Sequence, residues 1–315
     1  MLNLSNELKG MKSVAISGHI RPDGDCVGST MATYLYIKKN MPEIDVHIYL
    51  EDIPDVFNCI KDVDKIEKAD GVDRIFDCFV CCDSVKERIG AAEHIYDNAQ
   101  KTINIDHHIT NPGASDINYI VAEASSASEL VFNTLNFENI DEDIAKALYI
   151  GIIHDTGVFQ YSNVSPSTLV AASKLISFGF DFPTIIAETF YQKTYVQTKV
   201  CGEVLENSRL FLDGKVSFGA VTPQMAEKYN TVSKDYDGIV NGLRNITGVD
   251  VAIFMYLLDD GSCKVSMRTN NDNVDVSAVS HTFGGGGHKR AAGVTMEGTM
   301  EEVLEKLLSE IKKQY

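Results

Sequence analysis

SVAISGHIRPDGD, the stretch from Ser13 to Asp25, decides how the rest of this chain is read. A short β-rich run, SVAIS, stops at Gly18 and gives way to a loop carrying His19, Asp23 and Asp25 around Pro22 and Gly24. The run predicts a strand, and the Gly28–Lys39 region predicts a helix after the loop. In open α/β sheets ligands bind in the crevice beyond the carboxyl ends of the strands, which is where such a loop falls. Taken alone, His-x-x-x-Asp-x-Asp is a weak signal, because a solvated turn with Asp25 as helix cap would use the same residues.

Working outward, the pattern recurs. Val46–Leu50, Phe79–Cys82 and Thr102–Ile105 read as strands, and Ala127–Leu135, Asp143–Ile153 and Pro166–Phe178 as helices, with Gly179 as a stop. Strands alternating with helices predict an α/β fold whose N-terminal domain, residues 1–190, is a mostly parallel sheet flanked by helices. The strand at Phe79–Cys82 ends in Asp83, that at Thr102–Ile105 in Asp106-His107-His108, and the apolar run Leu148–Ile153 in His154-Asp155. Unrelated turns have no reason to deliver Asp or His repeatedly at the same end. Asp23, Asp25, Asp83 and Asp155 would then bring four negative charges into one place, and unpaired carboxylates so crowded repel one another. Two divalent cations cancel that charge, and His19 and His107 complete mixed N/O ligand sets that suit manganese or a similar ion. Paired metals are a standard device for phosphoester hydrolysis.

The second half changes character. Residues 191–212 are expected to form a helical connector, and 213–315 a smaller α/β domain. It would hold a strand at Val216–Val221, a hairpin of Val251–Leu258 and Cys263–Arg268, a short helix at Asp275–Phe283 and a final helix at Met300–Lys313. The run Gly284–Gly287 followed by His288 is the one low-complexity feature. Glycines let backbone N–H groups close on a phosphate, and Arg268 and His288 add charge-assisted donors, although a glycine run is as often a flexible loop.

Composition narrows the function. The 315 residues hold 28 Lys and Arg against 45 Asp and Glu, a formal charge of −17, which opposes binding of long nucleic acid through a basic face. With 44% hydrophobic and 23% charged residues the chain is globular. Its longest wholly apolar run, Val251–Leu258, is far short of the ~20 residues a membrane-spanning helix needs, so no membrane partner is expected. No secretory signal is apparent, and seven cysteines without a paired framework fit reduced thiols in a cytoplasmic protein. Cys78, Cys81 and Cys82 read as small hydrophobes of a core strand, since a zinc site would need a second ligand pair.

HIRPDGD, CCDS, IDHH and GIIHDTG together, in that order, resemble the four motifs of the DHH phosphoesterases. This superfamily includes RecJ exonucleases, family II pyrophosphatases and NrnA-type oligoribonuclease/phosphoadenosine phosphatases. The GGGH-x-x-AAG string with Ser266-Met-Arg268 is similar to the DHHA1 substrate-binding domain of the same superfamily, so the resemblance spans nearly the whole chain. It implies that His19, Asp23 and Asp83 hold one metal and Asp25, His107 and Asp155 the other, with Asp83 bridging. It also implies that His108 faces the phosphate as donor or leaving-group acid, that Asp106 orients a ligand histidine, and that Arg268, Gly285, Gly286, Gly287 and His288 grip substrate.

Among these relatives, GGGH disfavours a pyrophosphatase, and the length disfavours a RecJ-type nuclease with its further nucleic-acid-binding domain. The expected activity is hydrolysis of short oligoribonucleotides to mononucleotides and removal of the 3′-phosphate of 3′-phosphoadenosine 5′-phosphate. Linear or cyclic dinucleotides (pApA, pGpG, cyclic di-AMP) are the rival substrates, and a catalytically silent nucleotide sensor the rival of another class. Expected partners are therefore short single-stranded RNA or nucleotides and not long duplexes; the sequence does not choose between monomer and homodimer. Asn111 reads either as a substrate contact or as a turn residue before Pro112, Ser126 and Glu129 as a capping box, His154 as packed or exposed, and Cys26 as an oxidation site.

Overall fold

In the computed structural model, which describes residues 2–315, the chain divides into two compact units, Met1–Gln192 and Lys193–Tyr315. The first unit carries strands β1 (Ser13–Ser17), β2 (Asp45–Tyr49), β3 (Ile66–Glu67), β4 (Cys78–Cys82), β5 (Thr102–Asp106) and β6 (Ile117–Ile120). Its helices are α1 (Leu4–Glu7), α2 (Gly24–Asn40), α3 (Glu93–Asn98), α4 (Ala127–Thr134), α5 (Glu142–Asp155), α6 (Pro166–Ile176) and α7 (Phe182–Ile186). The six strands form one sheet in the order β3-β2-β1-β4-β5-β6, every neighbouring pair parallel. Strand order reverses between β1 and β4, which puts the topological switch point at the carboxyl ends of these two strands. Every residue of β1, β4 and β5 is buried, as expected for strands covered on both faces, and Cys78, Cys81 and Cys82 sit in this core.

Helix α2 is buried from Gly24 through Ile37, and its polar residues are paired within the helix: Ser29 donates to the Asp25 carbonyl (2.7 Å), Thr30 to Cys26 (2.6 Å) and Thr33 to Ser29 (2.8 Å). It lies directly on α5, and two glycines permit that approach. A Cβ on Gly28 would stand 2.7 Å from the Ala147 carbonyl oxygen, and one on Gly151 would stand 1.9 Å from Ser128 Oγ and 2.9 Å from Asp25 Oδ1. α2 starts four residues earlier than expected, so Asp23 rather than Asp25 is its cap, accepting the N–H groups of Asp25 (3.0 Å) and Cys26 (3.1 Å). Cys26 is fully buried, its sulfur 2.4 Å from where a Gly18 Cβ would stand, and so is not an exposed oxidation site.

The second unit holds α8 (Tyr195–Glu206), β7 (Arg209–Phe211), β8 (Val216–Val221), α9 (Pro223–Tyr229), α10 (Ile239–Arg244), β9 (Val251–Leu257), β10 (Cys263–Thr269), α11 (Val276–Thr282), β11 (Gly286–His288), β12 (Ala291–Met296) and α12 (Met300–Lys312). α8 falls in the segment expected as a connector, but it buries Val200 and Val204 against Val221, Leu243 and Phe254 and packs as part of this unit. The sheet order is β11-β12-β10-β9-β8-β7, antiparallel except for β8 with β9. One face, with Val265, Met267 and Val294, is covered by α11 and α12; on the other face, α8 and α10 cover Ala252 and Phe254 of β9. The second face of β10, β12 and β11 is less buried, and Lys264, Ser266, Arg268, Ala291, Gly293, Gly286 and His288 lie on it. Among the described residues no helix is long and apolar enough to cross a membrane.

Candidate metal centre and glycine-rich face

The first unit brings all six expected ligands together. His19, Asp23 and Asp83 offer ligand atoms within 4.8 Å of one another, and so do Asp25, His107 and Asp155; a third such set, Asp83, His107 and His108, overlaps both. Asp83 links the third set to the first, and His107 links it to the second. Asp83 leaves β4 with a left-handed φ of 54° and donates its N–H to the Ile105 carbonyl (2.9 Å), which turns its carboxylate out of the sheet. Its Oδ2 lies 3.4 Å from His19 Nε2 and its Oδ1 3.5 Å from His107 Nε2. That Oδ1 is buried with no hydrogen-bond partner, although such atoms are nearly always satisfied in native proteins. An orphaned carboxylate oxygen among imidazole nitrogens and further carboxylates is a donor set that fits divalent cations.

Each ligand candidate is aimed by a neighbour. His19 Nδ1 lies 2.8 Å from the Ile20 carbonyl and His107 Nδ1 3.4 Å from that of Ala124, which leaves both Nε2 atoms facing the carboxylates. Asp25 accepts the N–H groups of Ala127 (2.6 Å) and Ser128 (2.9 Å), the first donors of α4, where a negative charge is favoured. Asn163 donates to the Asp155 carbonyl (3.1 Å) and to that of Ser125 (2.8 Å), fixing the end of α5. Asn163 stands in a loop with no motif around it, and nothing in the sequence signals it.

The electrostatics record the crowding. Burial first, then repulsion from Asp83 and Asp155, holds Asp25 well above the usual carboxylate range. Burial raises Asp155 to about 7, with Asp83 adding to it against the opposing pull of His107. Burial alone would lower His19 and His107, but hydrogen bonds and charge from the surrounding aspartates raise both to about 10. Asp23 moves the other way, to about 2, because its contacts with His19 outweigh its burial. Protons are thus retained where the carboxylates lack other cations.

Asp106 does a different job from the one expected. Its Oδ1 accepts from His108 Nδ1 (2.7 Å) and from the backbone N–H of His107 (2.8 Å), so it orients the His108 ring and only the backbone of His107. The hydrogen bond to Asp106 holds His108 above the usual imidazole range against its burial. Asn111 donates to Asp106 Oδ2 (2.5 Å) and to Asn104 Oδ1 (2.7 Å) while accepting the Gly113 N–H (2.9 Å), so it is a turn residue that braces Asp106. The expected Ser126/Glu129 capping box forms in one direction only. Ser126 accepts the Glu129 N–H (3.0 Å), but the Glu129 carboxylate turns to Ser125 (2.6 Å), Ser167 (2.7 Å) and Thr168 (2.8 Å), linking α4 to α6. His154 packs between Phe57 and Phe190 and bonds Thr189 (3.1 Å), apart from these ligand sets.

In the second unit the glycine run is part of a hairpin, not a free loop. A Cβ on Gly285 would stand 2.3 Å from Ser280 Oγ and 2.5 Å from the Gly293 carbonyl oxygen, and one on Gly287, whose φ is +141°, 2.5 Å from the Ala291 carbonyl oxygen. Gly286, by contrast, meets only His281, at 3.7 Å. Arg268, Ala291 and His288 are register partners across β10, β12 and β11, as are Ser266, Gly293 and Gly286. Arg268 and His288 therefore share a face about 10 Å apart, two strand spacings, across a floor of alanine and glycine. Arg268 donates to its neighbour's carbonyl, Met267 O (2.9 Å).

Residues 13–152 match the DHH family, N-terminal domain, and residues 216–315 match the DHHA1 domain. The chain is 26% identical over 308 residues to a probable bifunctional oligoribonuclease and PAP phosphatase NrnA of Streptococcus mutans, covering 97% of this chain and 96% of that one. It is 24% identical over 290 residues to the bifunctional oligoribonuclease and PAP phosphatase NrnA of Bacillus subtilis, covering 90% and 89%. In fold it is similar to an exopolyphosphatase-related protein from Bacteroides fragilis, with a TM-score of 0.90 at 24% identity over 98% of this chain and 94% of that one. The chain accordingly belongs to the DHH family of phosphoesterases, with a DHHA1 domain as its second half.

Proposed function

We propose that this protein hydrolyses short oligoribonucleotides to mononucleotides and removes the 3′-phosphate of 3′-phosphoadenosine 5′-phosphate, using two divalent cations, with manganese the first choice. The single observation that carries the proposal is the pair of His/Asp trios joined through Asp83, whose buried Oδ1 lies 3.5 Å from His107 Nε2 and has no hydrogen-bond partner. His19, Asp23 and Asp83 would hold one cation and Asp25, His107 and Asp155 the other, with Asp83 shared. When bound, such ions neutralise phosphate charge and make water a nucleophile near neutral pH. The chain's own residues do the rest. His107 and His19 present Nε2 because a carbonyl takes Nδ1–H. His108, held by Asp106, keeps a proton on the ring facing the cluster and can supply it to the departing oxygen.

Arg268 and His288, with the open backbone at Gly286, would grip the terminal phosphate and nucleotide, so that hydrolysis takes place at the next phosphate. Both activities then become one reaction, cleavage beside a held nucleotide. Relatives named for these two activities, alike over nearly their whole length, support this choice of substrates. The experiment is a product time course on a labelled RNA trinucleotide with manganese, run beside 3′-phosphoadenosine 5′-phosphate, pApA and cyclic di-AMP. Stepwise mononucleotide release together with adenosine monophosphate formation is expected. Turnover of the dinucleotides alone would replace the proposal, and nucleotide binding with no product would make the protein a sensor.

A further inference from the structure

Arg21 and Arg88 belong to the loops that leave β1 and β4, and those loops also carry His19, Asp23 and Asp83. A backbone hydrogen bond from Ile20 N–H to the Arg88 carbonyl (2.7 Å) latches the two loops together. Both arginines are exposed, and neither guanidinium has a hydrogen-bond or ion-pair partner among the described residues. The unit's third arginine, Arg74, is paired with Asp45 at 2.7 Å. In a chain with 45 acidic against 28 basic residues, two unpaired arginines on hydrogen-bonded loops that also carry aspartates of the cluster are unusual. Acidic groups stand near enough to be alternatives: Asp23 is engaged with α2 and His19, Glu51 Oε2 accepts the Arg21 backbone N–H (2.9 Å), and Glu87 adjoins Arg88.

The backbone also bears a cost here. Arg21 has a φ of 55°, a left-handed conformation that L-residues with a full side chain avoid and that costs on the order of 1 kcal/mol. It also precedes Pro22, which restricts it further. Nothing in the packing of an exposed side chain compensates this strain; glycine would serve the turn better. Strain retained at an exposed arginine is the kind that function, not stability, maintains.

We propose that Arg21 and Arg88 form a second phosphate subsite, which takes the phosphodiester next along the substrate from the scissile one. The inference rests on the proposed phosphoester substrate and adds a length preference to it. Two bound dications would balance Asp23, Asp25, Asp83 and Asp155, which leaves these arginines as the unpaired cationic groups among the described residues of the two loops, and guanidinium is suited to phosphate oxygens through paired N–H donors. A trinucleotide supplies such a phosphate beyond the cleavage point; 3′-phosphoadenosine 5′-phosphate, in which nothing is attached beyond the attacked 3′-phosphoryl group, does not. The pair also gives this acidic protein a local means of drawing in an anion.

The test compares kcat/KM on an RNA trinucleotide and on 3′-phosphoadenosine 5′-phosphate for wild type, Arg21→Gly, Arg88→Gln and the double variant. Arg21→Gly suits the left-handed backbone, so loss of charge is separated from loss of fold, and a melting temperature accompanies each variant. The ratio of trinucleotide to phosphoadenosine phosphate efficiency should fall about tenfold for each single variant, through KM, and further for the double. Arg88→Lys should recover part of the loss. An unchanged ratio overturns the subsite, whether both substrates are spared or both lose equally. Wild-type protein inactive on both substrates would instead overturn the proposed function itself.

Discussion

At the switch point of the first sheet, a site is built from charges that conflict; on the open face of the second sheet, one is built from side chains left out. In the first unit Asp25 and Asp155 hold protons that an isolated carboxylate would release, and the Asp83 Oδ1 is buried without a partner. In the second, Gly285 and Gly287 let β11 lie against Gly293 and Ala291, while Arg268 and His288 stand at the margins of a nearly bare floor. On the proposed function, cations would relieve the crowding of the first site, whereas the second would take an anion on a face that is already built. Folding stability and function therefore oppose each other in one unit and coincide in the other.

The sharpest way to break this contrast is Asp83→Ala. Activity should fall by about a thousandfold or more even with excess manganese, because the group proposed to bridge the two cations is gone. The metal-free protein should melt no lower than wild type, since a buried, repelling carboxylate has been removed. A lower melting temperature without metal, or near-normal turnover, would refute the contrast and the assignment. Arg268→Ala should raise KM for nucleotide substrates by about 30-fold, as for loss of a charge-assisted hydrogen bond. Hydrolysis of a simple activated phosphodiester should be less affected; equal loss on both would remove the division of labour between the units.

Gly287→Ala tests whether the glycines serve the hairpin. A methyl placed 2.5 Å from the Ala291 carbonyl oxygen at a φ of +141° should destabilise the second unit by about 2 kcal/mol. Calorimetric manganese binding, proposed for the first unit, should keep its affinity; its loss would show that the sites are not separately built. The smallest effect concerns pH. His19 and His107, raised to about 10, and Asp155, raised to about 7, bind protons more tightly folded than unfolded. Their contribution is complete below the unfolded values, ~6.5 for His and ~3.9 for Asp, and is lost as pH rises through the folded values. Asp23, lowered to about 2, acts oppositely, and its contribution is lost only as pH falls towards that value. Metal-free protein should therefore melt progressively lower from pH 5 to 9, and manganese should raise the melting temperature most at the alkaline end. A flat metal-free profile would contradict the proton-for-cation reading.

Much of this was legible because chemistry and strand ends coincide in the sequence. β1, β4 and β5 are runs apolar enough to be read without context, and each is followed within two residues by Asp or His. The edge strands β3, β6, β7 and β11 were not legible. They are two to four residues long, and Ile66–Glu67 or Gly286–His288 gains strand character only from the neighbour it pairs with. β12, beginning Ala291-Ala292-Gly293, has little strand propensity of its own and is held between β10 and β11. The helix containing Asp25 was placed late because the Pro22-Gly24 signal suggested a longer loop, while Asp23 in fact caps it directly.

By itself the sequence determined which side chains are candidates for the chemistry, how they are ordered along the chain, and that four clustered aspartates would need compensating charge, since these follow from composition and from the period of the strands. Only the tertiary structure decided how those groups are aimed. That the Ala124 carbonyl meets the His107 ring, that the start of α4 holds Asp25, that Asn163 bonds the Ser125 carbonyl and that Gly28 and Gly151 let α2 and α5 touch all depend on atoms distant in the chain. Hydrogen bonds and close packing act over a few ångströms in space, and no local pattern of residues encodes which distant atoms will be brought that near.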